Sequence, residues 1–117
     1  ELMCDDSDSY ADMPTTLWLE PRLRQLNTQG QAYYVLQKGN YASGLVLLKL
    51  IAPDGTCSLL SLERNLDNKL KWIHVLEQEK IAEVQADDYI RSSIEFDPDL
   101  WVVEIESPDL INPFKDL

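Results

Sequence analysis

The sequence predicts an α+β domain, an antiparallel sheet of about five strands with two helices, in the order helix-strand-strand-strand-strand-helix-strand. Three observations carry that expectation. Apolar residues recur at helical spacing before Gly30 and again before Pro98, the segments between them are rich in aromatic, β-branched and leucine residues, and Pro53-Asp54-Gly55 joins two of those segments through a tight turn. A chain of 117 residues, 44% hydrophobic and 26% charged, is long enough for one core but not for two.

Residues 1–14 combine acids, serines and a proline without apolar periodicity and read as an acidic N-terminal extension. From Thr16 to Gln29 the pattern is helical, with Leu19, Leu23 and Leu26 on one face and Gly30 placed to end the helix. Pro21 suits a first turn better than a helix interior, so the regular helix is expected to begin there. Ala32–Lys38 reads as the first strand and Gly44–Ile51 as the second, with Val46, Leu48 and Leu50 on one side and Leu45, Leu47 and Ile51 on the other, interrupted by Lys49. Beyond the turn, Thr56–Glu63 returns antiparallel as the third strand, and Leu70–Glu77 follows the polar turn Asn65–Asn68 as the fourth. A second helix is expected from Asp87, a suitable N-cap, to a stop forced by Pro98. Leu100–Glu106 then alternates as the last strand, with Trp101, Val103 and Ile105 on one face. The domain is thus expected over residues 15–107, with 108–117 a C-terminal tail marked by Pro108 and Pro113.

The net charge of -11 is uneven: Glu1, Asp5, Asp6, Asp8, Asp12 and Glu20 stand in a segment without a base. Such a field repels a nucleic-acid duplex, whose binding relies on Lys and Arg neutralising phosphates, so no nucleic-acid partner is expected. The longest apolar runs, Leu45–Leu48 and Leu100–Val103, are far short of the about 20 residues of a membrane span, and no basic-then-apolar leader stands at the start. A cytoplasmic location without membrane association is the expectation. The two cysteines, Cys4 and Cys57, lie far apart and read as reduced thiols, Cys4 exposed and Cys57 a small buried hydrophobe.

The chemistry-bearing candidates are few. Asp97 and Asp99 flank Pro98 between Phe96 and Trp101, where a desolvated carboxylate could act as a general acid; an Asx turn whose carboxylates accept backbone N–H groups is the simpler reading. His74, the single histidine, falls on the strand face of Trp72 and Leu76 without evident catalytic partners. The acidic stretch from Asp5 lacks the glycine and glutamate of a calcium loop, and no glycine-rich phosphate loop or nucleophile elbow occurs, so no metal and no cofactor are expected.

Residues 96–106 read FDPDLWVVEIE, and with this segment the chain resembles a bacterial domain-of-unknown-function family, number 1491. The helix ending in Gly30, the strand GLVLLK from Gly44, the Asp54-Gly55 turn and the helix running into Phe96-Asp97-Pro98-Asp99 follow the order of that family over about residues 16–107. The resemblance implies a small cytoplasmic fold of unknown activity and carries over no functional residue.

The function expected is therefore that of a non-enzymatic protein-interaction or accessory module, homo-oligomeric or bound to another protein. Two short helices are expected to cover one sheet face better than both, leaving Tyr34 and Trp72 near an interface and a homodimer as the outcome. The alternatives are a small acid-base enzyme using Asp97 and Asp99 with His74, and an acidic N-terminal segment acting as a polyanion mimic.

Overall fold

The computed structural model describes residues 14–42, 44–64, 66–67 and 69–114. Their elements are α1 (Thr15–Thr28), β1 (Tyr33–Gln37), β2 (Val46–Ile51), β3 (Thr56–Arg64), β4 (Leu70–His74), β5 (Ile81–Ala82), α2 (Glu83–Phe96) and β6 (Trp101–Glu106). The α+β class and the two helices are as the sequence predicts. The sheet is mixed rather than antiparallel, and it has six strands in the order β1-β6-β2-β3-β4, with the short β5 paired to β3. The last strand enters the middle of the sheet: β6 runs antiparallel to β1 and parallel to β2, Val46 beside Trp101 and Lys49 beside Glu104. Local pattern could not reveal this, because a strand buried on both faces looks alike in either direction.

The two helices lie on opposite faces. Trp18, Leu19, Leu23 and Leu26 of α1 pack on Val46, Leu48, Leu50, Leu60, Leu62, Trp101, Val103 and Ile105. On the other side Ala86 and Ile90 of α2 meet Leu47, Cys57, Leu59, Leu100 and Val102. Both faces are therefore covered, which removes the uncovered face from which a homodimer was expected. The alternation in β2 and β6 is as predicted, and it is what lets one apolar strand serve two cores.

Three boundaries differ from expectation. Helix α1 passes through Pro21, which is exposed; its absent N–H costs little on the solvent side, where water can serve the Leu17 carbonyl. Its first turn is held by the chain's own loop, Thr15 and Thr16 donating N–H groups to the Ala42 and Tyr41 carbonyls at 3.4 and 3.1 Å. Helix α2 starts at Glu83 instead of Asp87, with the Gln85 side chain accepting the Ala82 N–H at 3.0 Å. Strand β4 stops at His74, after which a turn with Glu77 at φ 61° carries Leu76 to the α2 side, away from Trp72.

The segment expected to be a tail from residue 108 instead contributes to the core as far as Phe114, which is fully buried. Its ring stacks on Trp72 with centroids 6.3 Å apart, and the Arg22 guanidinium lies 5.5 Å from its centre. Ser107 and Asn112 close the turn by accepting the Ile111 and Phe114 N–H groups.

Candidate functional site

The Asp97–Asp99 corner is built as a clasp. The Asp97 carboxylate accepts the Asp99 N–H at 3.1 Å, its carbonyl accepts the Leu100 N–H, and its own N–H closes α2 on the Ser93 carbonyl at 2.8 Å. The loop between β1 and β2 wraps this corner: the Asp99 carbonyl accepts the Asn40 N–H, the Trp101 indole donates to the Asn40 carbonyl at 2.8 Å, and the Trp101 N–H donates to Leu45. Gly39 and Gly44 allow the wrap, since a Cβ at either would stand 2.6 Å from Cδ1 of Trp101. Thr15 ties the loop to α1 by donating to the Gly44 carbonyl at 2.7 Å. Asp99 is exposed and Asp97 half-buried, and the arrangement is that of a structural turn.

His74 lies at the end of β4, opposite Leu60 of β3, across the sheet from that corner. Its Nδ1 is buried without a hydrogen-bond partner among the described residues. A hollow of about 260 Å³ beside it is lined by Ser58, Lys80, Asp109 and Asn112; a cleft of about 580 Å³ elsewhere is lined by Gln31, Ile51, Pro53, Glu104, Glu106 and Ser107. Neither contains Asp97 or Asp99, so the three residues considered for acid-base work do not converge on a common space. Among the described residues no group of His, Cys, Asp and Glu is arranged to hold a metal ion, and no helix is long and apolar enough to cross a membrane.

The two aromatic candidates part company. Trp72 is engaged internally, its indole donating to the Phe114 carbonyl at 2.9 Å. Tyr34 is 48% exposed on β1, its hydroxyl 3.3 Å from the Glu106 carboxylate, whose charge and hydrogen bond hold the phenol above its ordinary pKa. Beside it Val35 and Leu36 are also exposed, so the open edge of the sheet carries three consecutive large apolar side chains in water. The opposite edge, β4, is flanked and interrupted by Lys69 and Lys71, charges that discourage strand addition.

One constellation escaped the sequence reading. Lys49, with 3% of its side chain exposed, reaches from β2 to Glu83 and Asp87 of α2 at 2.9 and 2.8 Å and to Glu104 of β6 at 3.1 Å. Burial alone would depress its pKa, but the hydrogen bonds to Asp87, Glu83 and Glu104 outweigh burial and hold it above the usual lysine range. The signals were a lone charge inside VLLKLI, an acid between Val103 and Ile105 inside WVVEIE, and two acids four residues apart on one helix face. Cys57, fully buried on the same side, has its pKa pushed up to about 11 by burial, against a smaller opposing effect of Lys49.

Comparison with known proteins gives the same architecture. A DUF1491 protein from Caulobacter crescentus CB15, solved by crystallography, shares 30% identity over 82% of this chain and 89% of its own, with a TM-score of 0.73. An NMR structure of a DUF1491 protein from the same organism gives 29% identity over 87% and 92%, with a TM-score of 0.75. A solution structure of an A. tumefaciens protein, at 19% identity over 82% and 86%, shares the fold with a TM-score of 0.66. No curated protein matches the chain. The model of the family described as "Protein of unknown function (DUF1491)" matches residues 13–115, and the chain belongs to that family.

Proposed function

We propose that this protein is a non-enzymatic interaction module that accepts an extended backbone along the open edge of β1. The observation that supports this reading is the exposure of Tyr34, Val35 and Leu36 at 48, 41 and 47% on an edge strand without a charge. Strand addition there satisfies backbone groups and removes apolar side chains from water together. The separation of Asp97 and Asp99 from His74 lends nothing to an acid-base enzyme, and the polyanion reading rests on residues 1–13, which lie outside the described residues.

The test is affinity capture from native cytoplasm on the immobilised protein and on a Val35→Pro variant, compared by quantitative mass spectrometry. Proteins retained by the first and released by the second are expected. Identical retention by both would sink the edge as the docking element.

A further inference from the structure

We infer that the strand accepted by the β1 edge is a segment of another protein that carries a lysine or arginine opposite Ala32, its cationic head lying on the Glu106 carboxylate. This rests on the docking reading above and specifies the chemistry of its partner. The ladder between β1 and β6 supplies the register. Tyr33 stands opposite Ile105 and Tyr34 opposite Glu104, so Ala32 is the neighbour of Glu106, whose N–H donates to the Ala32 carbonyl at 3.1 Å. Ala32 and Tyr34 thus turn their backbone groups to β6, and Tyr33 and Val35 direct theirs to the open edge.

Side-chain alternation then sets what each position of an added strand meets. Ala32 and Tyr34 lie on the sheet face of Lys49, Glu104 and Glu106, as the contact of the Tyr34 hydroxyl with the Glu106 carboxylate at 3.3 Å requires. On that face α2 packs over β2 and β3 and leaves Tyr34 exposed. The cleft of about 580 Å³ opens here, with Gln31 and Ala32 on its β1 side and Glu104 and Glu106 in its lining. The residue of an antiparallel strand directly opposite Ala32 is in line with Glu106, two strand spacings or roughly 10 Å away. In that row the Ala32 methyl is the only side chain between them. The long stem of a lysine or arginine passes over the methyl, and the glutamate side chain reaches back to meet its head. Tyr34, the next residue on the same face, flanks the path with an aromatic ring, a neighbour that favours a cation.

Charge gives the sign. Glu106 is exposed, its carboxylate meets the Tyr34 phenol, and among the described residues no lysine or arginine lies within ion-pair distance of it. Farther in, Glu104 shares Lys49 with Glu83 and Asp87, one ammonium among three carboxylates, so the neighbouring field is negative as well. The Tyr34 phenol reports that field at the edge itself: Glu106 foremost, and Glu104 to a smaller extent, hold it above its ordinary pKa. The strand Tyr33–Gln37 has no charge of its own to offset this. An acid opposite Ala32 is repelled by the same groups that attract a base, so the edge discriminates between partners by charge.

The test uses three labelled, end-blocked peptides of alternating threonine and valine that differ at one central position, which is arginine, its neutral isostere citrulline, or glutamate. Each is titrated with the full chain and followed by fluorescence anisotropy. The arginine peptide is expected to bind about tenfold tighter than the citrulline peptide at about 50 mM salt, with the glutamate peptide weakest, and the advantage is expected to shrink at about 500 mM salt. Glu106→Gln is expected to remove the advantage with unchanged circular dichroism, and Val35→Pro, which deletes an outward N–H that β6 does not use, to abolish binding of all three. Equal affinities for the three peptides, or an arginine advantage that survives Glu106→Gln, overturn the inference; if binding still depends on Val35, the docking edge stands. Arginine-peptide binding that Val35→Pro leaves intact overturns both, because the cation then binds apart from the edge. Absence of binding by every peptide overturns the inference as well, and capture from cytoplasm that depends on Val35 then leaves the edge with a partner of other chemistry.

Discussion

At the scale of single residues the strongest electrostatic commitment is Lys49. An ammonium taken out of water is stable only when its donors are satisfied, and here three carboxylates from two elements do so. Truncation is costly because it leaves Glu83, Asp87 and Glu104 converging without a cation, Glu104 with only 20% of its side chain exposed. Lys49→Met is expected to lower stability by about 3 kcal/mol in urea unfolding, and a loss below about 1 kcal/mol would show that the carboxylates relax into water. Cys57 gives a complementary signature in pH. Its folded pKa of about 11 stands above the 9.0 of a free thiol, so from pH 9 upward the unfolded chain releases a proton that the folded chain keeps. Stability from this source is complete below pH 9 and falls as pH rises through 11, while the raised Lys49 pKa acts in the same direction at higher pH. Replacing Cys57 with Val should flatten the decline between pH 9 and 11, a difference of at most about 3 kcal/mol. An unchanged slope in Cys57→Val would place its origin elsewhere. The burial of Cys57 was legible from its strand context; the lysine was visible as an interruption, but its partners come from α2 and β6, which only the tertiary fold brings to it.

At the scale of elements the FDPDLW segment explains its own sequence. Each residue from Asp97 to Trp101 ends one element, turns the chain or starts the next, and the β1–β2 loop closes over it with two glycines against the indole. The Asp97 carboxylate serves the turn by accepting the Asp99 N–H, whereas Asp99 takes part through its backbone N–H and carbonyl; the part that the sequence did not disclose was the partner loop, more than fifty residues earlier in the chain. Asp97→Ala is expected to cost about 1 kcal/mol through loss of the Asx acceptor, and Trp101→Ala about 3 to 5 kcal/mol, since the ring is 1% exposed and its N–H is satisfied only by the loop. Gly44→Ala should destabilise more than an ordinary glycine-to-alanine change, because the new methyl meets the ring and the Asp99 carbonyl together. Thermal unfolding of the three variants checks the ranking. A stable Trp101→Ala protein would mean that the clasp is not what holds β6 between its neighbours.

At the scale of the whole molecule the sheet is closed from within by its last strand, and the C-terminal segment then seals the α1 face. Helix count, the order of the elements apart from the short β5, and the face alternation of β2 and β6 were legible because they follow from local periodicity. The parallel pairing of β6 with β2 was not, because it is set by the crossover through α2 and by which gap in the sheet remains open. The same holds for the stretch after Ser107: its prolines read as a tail, yet prolines are equally at home in a turn that returns an aromatic ring to the core. Phe114 is that ring. It is fully buried against Trp72 and beneath the Arg22 guanidinium, and the backbone on either side is held by Ser107, Asn112 and the Trp72 indole. Removing the ring opens a cavity between α1 and β4 and releases the segment that covers it, so two losses add. Phe114→Ala is expected to cost about 3 to 5 kcal/mol, and truncation after Ser107 at least as much, because it also removes Leu110. Urea unfolding of both proteins is the measurement. If truncation after Ser107 leaves the midpoint unchanged, the α1 face closes without its C-terminal strap, and the domain ends where β6 does.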